Sequence, residues 1–145
     1  MGIETKEVKD YIERIAGEIE GVLNRFQEIE FEELHTDRDK RNMVLHAMLI
    51  SIQSAIDIAN HIIADKGLRK PSTYRESFEI LYEERLIPKV LSDRLSDLAG
   101  FRNILVHIYL RLDIDAVYEV LQRDLSALKE YERAVKRLLQ GGGTG

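Results

Sequence analysis

What this sequence has little of narrows the field first. None of its 145 residues is cysteine. That excludes a disulfide framework, a thiolate metal site and a cysteine nucleophile. Proline occurs twice, and of nine glycines three sit in the run Gly141-Gly142-Gly143, so the body of the chain is poor in helix breakers. No apolar run approaches the ~20 residues of a membrane span. The N-terminus alternates charged and apolar residues from Glu4 onward, which is not the pattern of a secretory signal. These absences suit a soluble, cytoplasmic protein without a membrane partner. Positive charge is also in short supply: 21 basic against 26 acidic residues give a net charge of −5. Binding of nucleic acid over the whole surface is thereby disfavoured, although a local basic groove is not. The stretch from Lys66 to Arg75 holds Lys66, Arg69, Lys70 and Arg75 and no acid, and reads as a solvated loop.

What is present is helical periodicity, with 44% apolar residues to build a core. Val8, Ile12, Ile15, Ile19, Val22, Phe26 and Ile29 step by alternating fours and threes, so the first helix is expected over about Thr5 to Ile29. An acidic connection follows, and Thr36 with Asp39 can cap a second helix that reaches about Lys66. Its stripe is Leu45, Met48, Leu49, Ile52, Ile56, Ala59 and Ile63. Gly67 and Pro71 bracket a turn, and Thr73-x-x-Glu76 reads as the capping box of a short third helix ending near Leu86. Pro88 suits the first turn of a fourth helix carrying Leu91, Leu95, Leu98, Leu105 and Ile108. Asp113 can cap a fifth, with Val117, Leu121, Leu125, Leu128, Val135 and Leu138 on one side. Together these predict an all-α, antiparallel bundle of four to five helices, one domain over residues 1–140, with a disordered glycine-rich tail over 141–145.

The fourth helix carries an unusual polar set in Arg102-Asn103-Ile104-Leu105-Val106-His107-Ile108-Tyr109. At about 100° per residue, Asn103 and His107 share one face and Arg102 and Tyr109 another. Arg102 and His107 diverge by about 140° on a straight helix, so a single copy does not aim both at a small target. Gly100 permits a local kink, and a second copy of the helix supplied by a homodimer brings the groups together better. The residue types suit work on phosphate. Histidine moves protons near neutral pH, arginine's fork matches phosphate oxygens, and asparagine orients a hydroxyl or an oxyanion. That is sufficient for cleaving RNA without metal or cofactor, the 2′-hydroxyl acting as nucleophile. The competing reading is a buried helix whose polar groups bond to neighbouring helices.

The second helix offers partners in Ser54, Asp57, Asn60 and His61. Asp57 can pair with Arg102 and aim its guanidinium, or can pair within its own helix with His61. Neither the spacing of Asp57 and His61 nor any third ligand defines a metal site. His35 and His46 belong to no constellation, and there is no phosphate-cradling glycine loop, serine elbow or dinucleotide fingerprint.

Arg102-x-x-x-x-His107-x-Tyr109, with Asn103 after the arginine, resembles the motif of the HEPN superfamily, and more narrowly of the HepT toxins of HepT–MNT toxin–antitoxin pairs. The segment Ile56-Asp57-Ile58-Ala59-Asn60-His61-Ile62 is similar to HepT as well, and the likeness extends over about Thr5 to Leu139. The resemblance implies a metal-independent endoribonuclease that works as a homodimer, with Arg102 and His107 as its catalytic pair. It further implies an antitoxin partner, a minimal nucleotidyltransferase (MNT), that neutralises the toxin by adenylylating Tyr109. A nucleotide there would lie on the face of Arg102 and block RNA. The alternative function is a non-catalytic helical subunit that binds substrate for the nucleotidyltransferase.

Overall fold

The structure is a computed structural model that describes residues 5–107 and 113–141. α1 (Thr5–Glu18) continues through a π turn (Ile19–Leu23) into the short α2 (Asn24–Phe26). There follow α3 (Phe31–Thr36), α4 (Arg38–Asp65), α5 (Tyr74–Glu83), α6 (Lys89–His107), α7 (Ile114–Arg123) and α8 (Leu125–Gly141). No strand occurs among the described residues, as the periodicity predicts.

α4 is the centre of the bundle, packed against α1, α5, α6 and α8. Its apolar residues therefore face several neighbours rather than one: Val44, Ala47, Met48, Ile52, Ala55, Ile56, Ile58, Ala59, Ile62 and Ile63 are all buried. Leu45 and Leu49, placed on the expected stripe, are only half-buried. By length and composition α4 could cross a membrane, but 61% of that apolar stretch is buried inside the bundle, as in the core helix of a globular fold. Across the core, the fully buried Tyr131 of α8 donates its hydroxyl to the Ala55 carbonyl (3.0 Å) and meets the Phe78 ring edge to face.

Five local features depart from the periodic reading. The π turn inserts one extra residue, so the inward position moves from Val22 to Leu23, which is buried while Val22 is half-exposed. The acidic connection is itself partly helical: α3 is anchored by the buried Leu34. The cap of α4 is Asp37, whose carboxylate accepts from the Lys40 amide (3.1 Å), while Thr36 donates its hydroxyl back to Glu32 (2.9 Å). α5 stops at Glu83, three residues short of Leu86. Its end has the same hydrogen-bond closure as that of α4: Leu86 N–H to Leu81 carbonyl in one, Leu68 N–H to Ile63 carbonyl in the other, both 2.9 Å. The left-handed residue is Gly67 after α4 (φ 63) but Arg85 after α5 (φ 58). Finally, the expected fifth helix is two helices. The Asp124 N–H closes α7 on Val120 (2.8 Å), and α8 starts afresh at Leu125. Val117, Leu121, Leu125, Leu128 and Val135 all stay buried across this break. Burial raises the Asp124 carboxyl pKa above its ordinary value, with Arg123 and Arg94 opposing the shift.

Asp113 and Thr73 cap α7 and α5 as predicted, accepting from the amides of Ala116 (3.2 Å) and Glu76 (3.1 Å). Gly141 closes α8, and the rest of the glycine-rich tail lies outside the described residues.

Candidate active site

Buried serines stitch α5 to its neighbours and so set the walls around Arg102. Ser77 donates to Asn60 of α4 (2.7 Å) and Ser92 of α6 to the Phe78 carbonyl (3.0 Å). Ser96 of α6 donates to the Arg75 carbonyl (3.2 Å), and the Arg75 guanidinium returns a bond to the Ser96 carbonyl (3.0 Å). This reciprocal latch fixes the first turn of α5 over α6. It also explains Gly100. α6 runs unbroken through that residue. A Cβ there would stand 3.0 Å from the Arg75 guanidinium, and glycine's bareness leaves room for the latch.

Two residues further, half-buried Arg102 meets two elements at once. Its Nε–H donates to Gln53 Oε1 of α4 at 2.8 Å. Its guanidinium carbon stands 5.3 Å from the centroid of the Tyr74 ring at the start of α5, a cation–π contact. Gln53 in turn donates through Nε2 to Asp57 Oδ1 at 3.0 Å, one helical turn on. The expected Asp57–Arg102 pair is therefore not direct: a glutamine side chain stands between them. The two terminal guanidinium nitrogens of Arg102 have no hydrogen-bond partner among the described residues.

Asn103 is exposed beside Arg102. His107 is the last residue of α6; its side chain, and all of Tyr109, lie outside the described residues. The other polar residues singled out on α4 lie apart from Arg102's contacts. Asn60 is the Ser77 acceptor, Ser54 is buried, and His61 approaches Glu7 of α1 (3.2 Å) with its ring against Tyr11. Asp57 thus makes no pair with His61. His35, assigned to no constellation, bonds Asp115 of α7 (3.0 Å) and joins Phe31 and Tyr118 in a surface aromatic cluster. Sequence reasoning missed Gln53 and Tyr74. Each left a signal: Gln53 precedes Asp57 by four, the spacing of neighbours on a helix, and Tyr74 follows the capping Thr73 directly.

An all-α bundle with one arginine held between three helices and a histidine five residues on defines a class, and the comparison with known proteins gives it a name. The Ribonuclease HepT-like family profile matches residues 6–135. The chain belongs to that family. It is 39% identical over 84 residues to the mRNA nuclease HepT of Shewanella oneidensis, a match that spans 58% of this chain and 63% of that protein, just under two thirds of its length. It is 25% identical over 117 residues to the tRNA nuclease HepT of Aphanizomenon flos-aquae, covering 81% of this chain and 80% of that one. Among solved structures, the tri-AMPylated Shewanella oneidensis HEPN toxin in complex with MNT antitoxin superposes with a TM-score of 0.80 at 29% identity, over 90% of this chain and 97% of that one.

Proposed function

We propose that this chain is the endoribonuclease toxin of a toxin–antitoxin pair, acting in the cytoplasm as a homodimer and neutralised by a minimal nucleotidyltransferase. The observation that carries the reading is the state of Arg102. A guanidinium fixed along one edge and one face, with its terminal nitrogens unclaimed by the described residues, is built to receive an anion. Family membership supplies the rest of the support. One relative is named for mRNA and another for tRNA, so RNA cleavage, rather than a particular RNA, is the shared chemistry.

The chemistry follows from the residue types. His107 takes the proton of a ribose 2′-hydroxyl, and that oxygen attacks the adjacent phosphorus. The O2′–P bond forms and the P–O5′ bond breaks, O5′ leaving with a proton returned by the His107 imidazolium, which gives a 2′,3′-cyclic phosphate and a 5′-hydroxyl end. Arg102 binds the non-bridging oxygens and stabilises the charge that grows on them. Exposed Asn103 is suited to orient the attacking hydroxyl. Because Arg102 and His107 diverge around α6, two copies of this helix facing one groove complete the site, with both His107 side chains in the shared cleft. Tyr109 is the acceptor through which the nucleotidyltransferase acts: an adenylyl phosphate on its oxygen would occupy the Arg102 fork and its base would exclude RNA.

Purified protein is expected to cut RNA in the presence of a chelator and to leave cyclic-phosphate ends. Intact, uncut RNA under those conditions overturns the reading. Sedimentation at micromolar concentration should show a dimer. Co-expression with an MNT protein should add adenylyl mass that is absent in Tyr109→Phe; adenylyl mass that persists in Tyr109→Phe contradicts the tyrosine assignment.

A further inference from the structure

Resting on the ribonuclease reading, we infer that Gln53 is the positioning residue for Arg102, and that it restricts the arginine to one mode of phosphate binding. A guanidinium offers oxygen acceptors two kinds of bidentate edge: the end-on pair of terminal nitrogens, or a side-on pair that uses Nε. Gln53 Oε1 occupies the Nε–H at 2.8 Å, so the side-on edge that includes Nε is closed. The end-on pair is what remains for substrate.

The glutamine is suited to this because of the groups it joins. Arg102 Nε–H only donates and the Asp57 carboxylate only accepts. A glutamine amide satisfies both in a single orientation, with its oxygen toward Arg102 and its nitrogen toward Asp57 (3.0 Å). Asp57 therefore acts at one remove, by locking the amide. If that lock is lost, the amide can rotate and present N–H to N–H. The arrangement also keeps the carboxylate from pairing directly with the guanidinium, which would neutralise it before RNA arrives. Tyr74 completes the clamp: its ring covers one face of the guanidinium and sets its plane. All three helices converge here, and α5 is held in place by its own latches to α4 and α6.

The test is a double-mutant cycle on RNA cleavage by the full-length dimer, with an in vitro transcript as substrate. Gln53→Leu, close in size and without a carbonyl, should lower kcat/KM about 10- to 100-fold, as a displaced catalytic group does, at an unchanged Tm. In an Arg102→Lys background the same change should have no further effect, because there is no fork left to aim. Asp57→Asn retains an acceptor for Gln53 and should keep most activity; Asp57→Leu should lose as much as Gln53→Leu. A readout independent of activity is the Arg102 Nε–H resonance, identified by its loss in Arg102→Lys. It should be slow to exchange in the parent protein and fast in Gln53→Leu. Full activity in Gln53→Leu alongside an inactive Arg102→Lys overturns the positioning role and leaves the ribonuclease reading standing. An Arg102→Lys variant as active as the parent overturns the ribonuclease reading itself. An Nε–H that exchanges alike with and without Gln53 removes the hydrogen bond on which the inference rests.

Discussion

Two arginines, thirty-three residues apart, show the difference between a charge used to hold the fold and one left free to act. Arg69, in the loop before α5, is enclosed by carboxylates: it pairs with Glu76 and, through Nε (3.2 Å) and a terminal nitrogen (2.8 Å), with Glu83. Those bonds raise its pKa above even the usual arginine value, Glu83 contributing most, and they hold the Glu83 carboxyl below its ordinary range. Among the described residues, Arg102 has no carboxylate against it. Its partners are a neutral amide and an aromatic face. Both side chains are fixed in place, but of the two only Arg102 keeps, among the described residues, an uncompensated charge and an open edge. A basic residue is thus a binding group when its orientation is set by neutral neighbours, and a staple when it is set by anions.

The comparison breaks most visibly if the two positions respond alike. Arg102→Lys is expected to lower RNA cleavage at least ~100-fold, the scale seen when a preorganised charge donor is removed, because lysine keeps the charge without the fork. Arg69→Lys is expected to leave cleavage unchanged and lower the Tm slightly, since its ion pairs are exposed and screened. Side-by-side cleavage assays and thermal melts decide it; equal losses of activity would mean that the loop arginine also binds RNA.

A smaller effect falls on the face of the clamp. Tyr74→Leu retains bulk but loses the ring quadrupole, worth roughly 0.5–1 kcal/mol at a partly exposed site. Cleavage should fall about two- to fivefold, with Arg102 still held by Gln53. A loss as large as that of Arg102→Lys would place Tyr74 in contact with the RNA.

Changes that leave the contacts of Arg102 in place should touch stability alone. Arg85→Gly relieves a left-handed backbone that Gly67 already adopts without strain in the matching helix end, and should stabilise by up to about 1 kcal/mol with activity unaltered. Smaller again is Asp124→Asn. Burial raises this carboxyl's pKa in the folded protein, so the folded state prefers it protonated and ionisation costs stability. Native Asp124 is thus least unfavourable below its unfolded pKa, and stability is lost as pH rises through the folded pKa. The asparagine variant should melt higher than the parent at pH 7, and the gap should close on acidification to below about pH 4, the ordinary carboxyl range. A gap independent of pH would show that ionisation is not the cause.

The residues proposed to carry the chemistry could be picked out of the sequence because they sit in one short run, Arg102 to Tyr109, and helix periodicity places neighbours within a run. The helices were legible for the same reason. What was not legible depends on contact between runs. Gln53 looks like any polar residue on a mostly apolar helix until α6 is laid beside it. Tyr74 looks like a surface aromatic until the serine latches turn α5 onto Arg102. Gly100 reads as a flexible point in one dimension and as a space for Arg75 in three. The π turn and the break at Asp124 escaped because each preserves the apolar spacing on both of its sides: an inserted residue or a restarted helix alters the backbone while the core pattern carries on.

The central claim, that Arg102 and His107 cleave RNA by general base attack of a 2′-hydroxyl, is tested most directly by the ends it leaves. A defined transcript is incubated with parent protein and with His107→Ala, both in chelator, and the fragment termini are determined by mass spectrometry. The account predicts fragments with 2′,3′-cyclic phosphate and 5′-hydroxyl ends from the parent, and uncut transcript from a His107→Ala protein that melts within a few degrees of it. Cleavage by His107→Ala at the parent's rate, or parent fragments bearing 5′-phosphates, would contradict it.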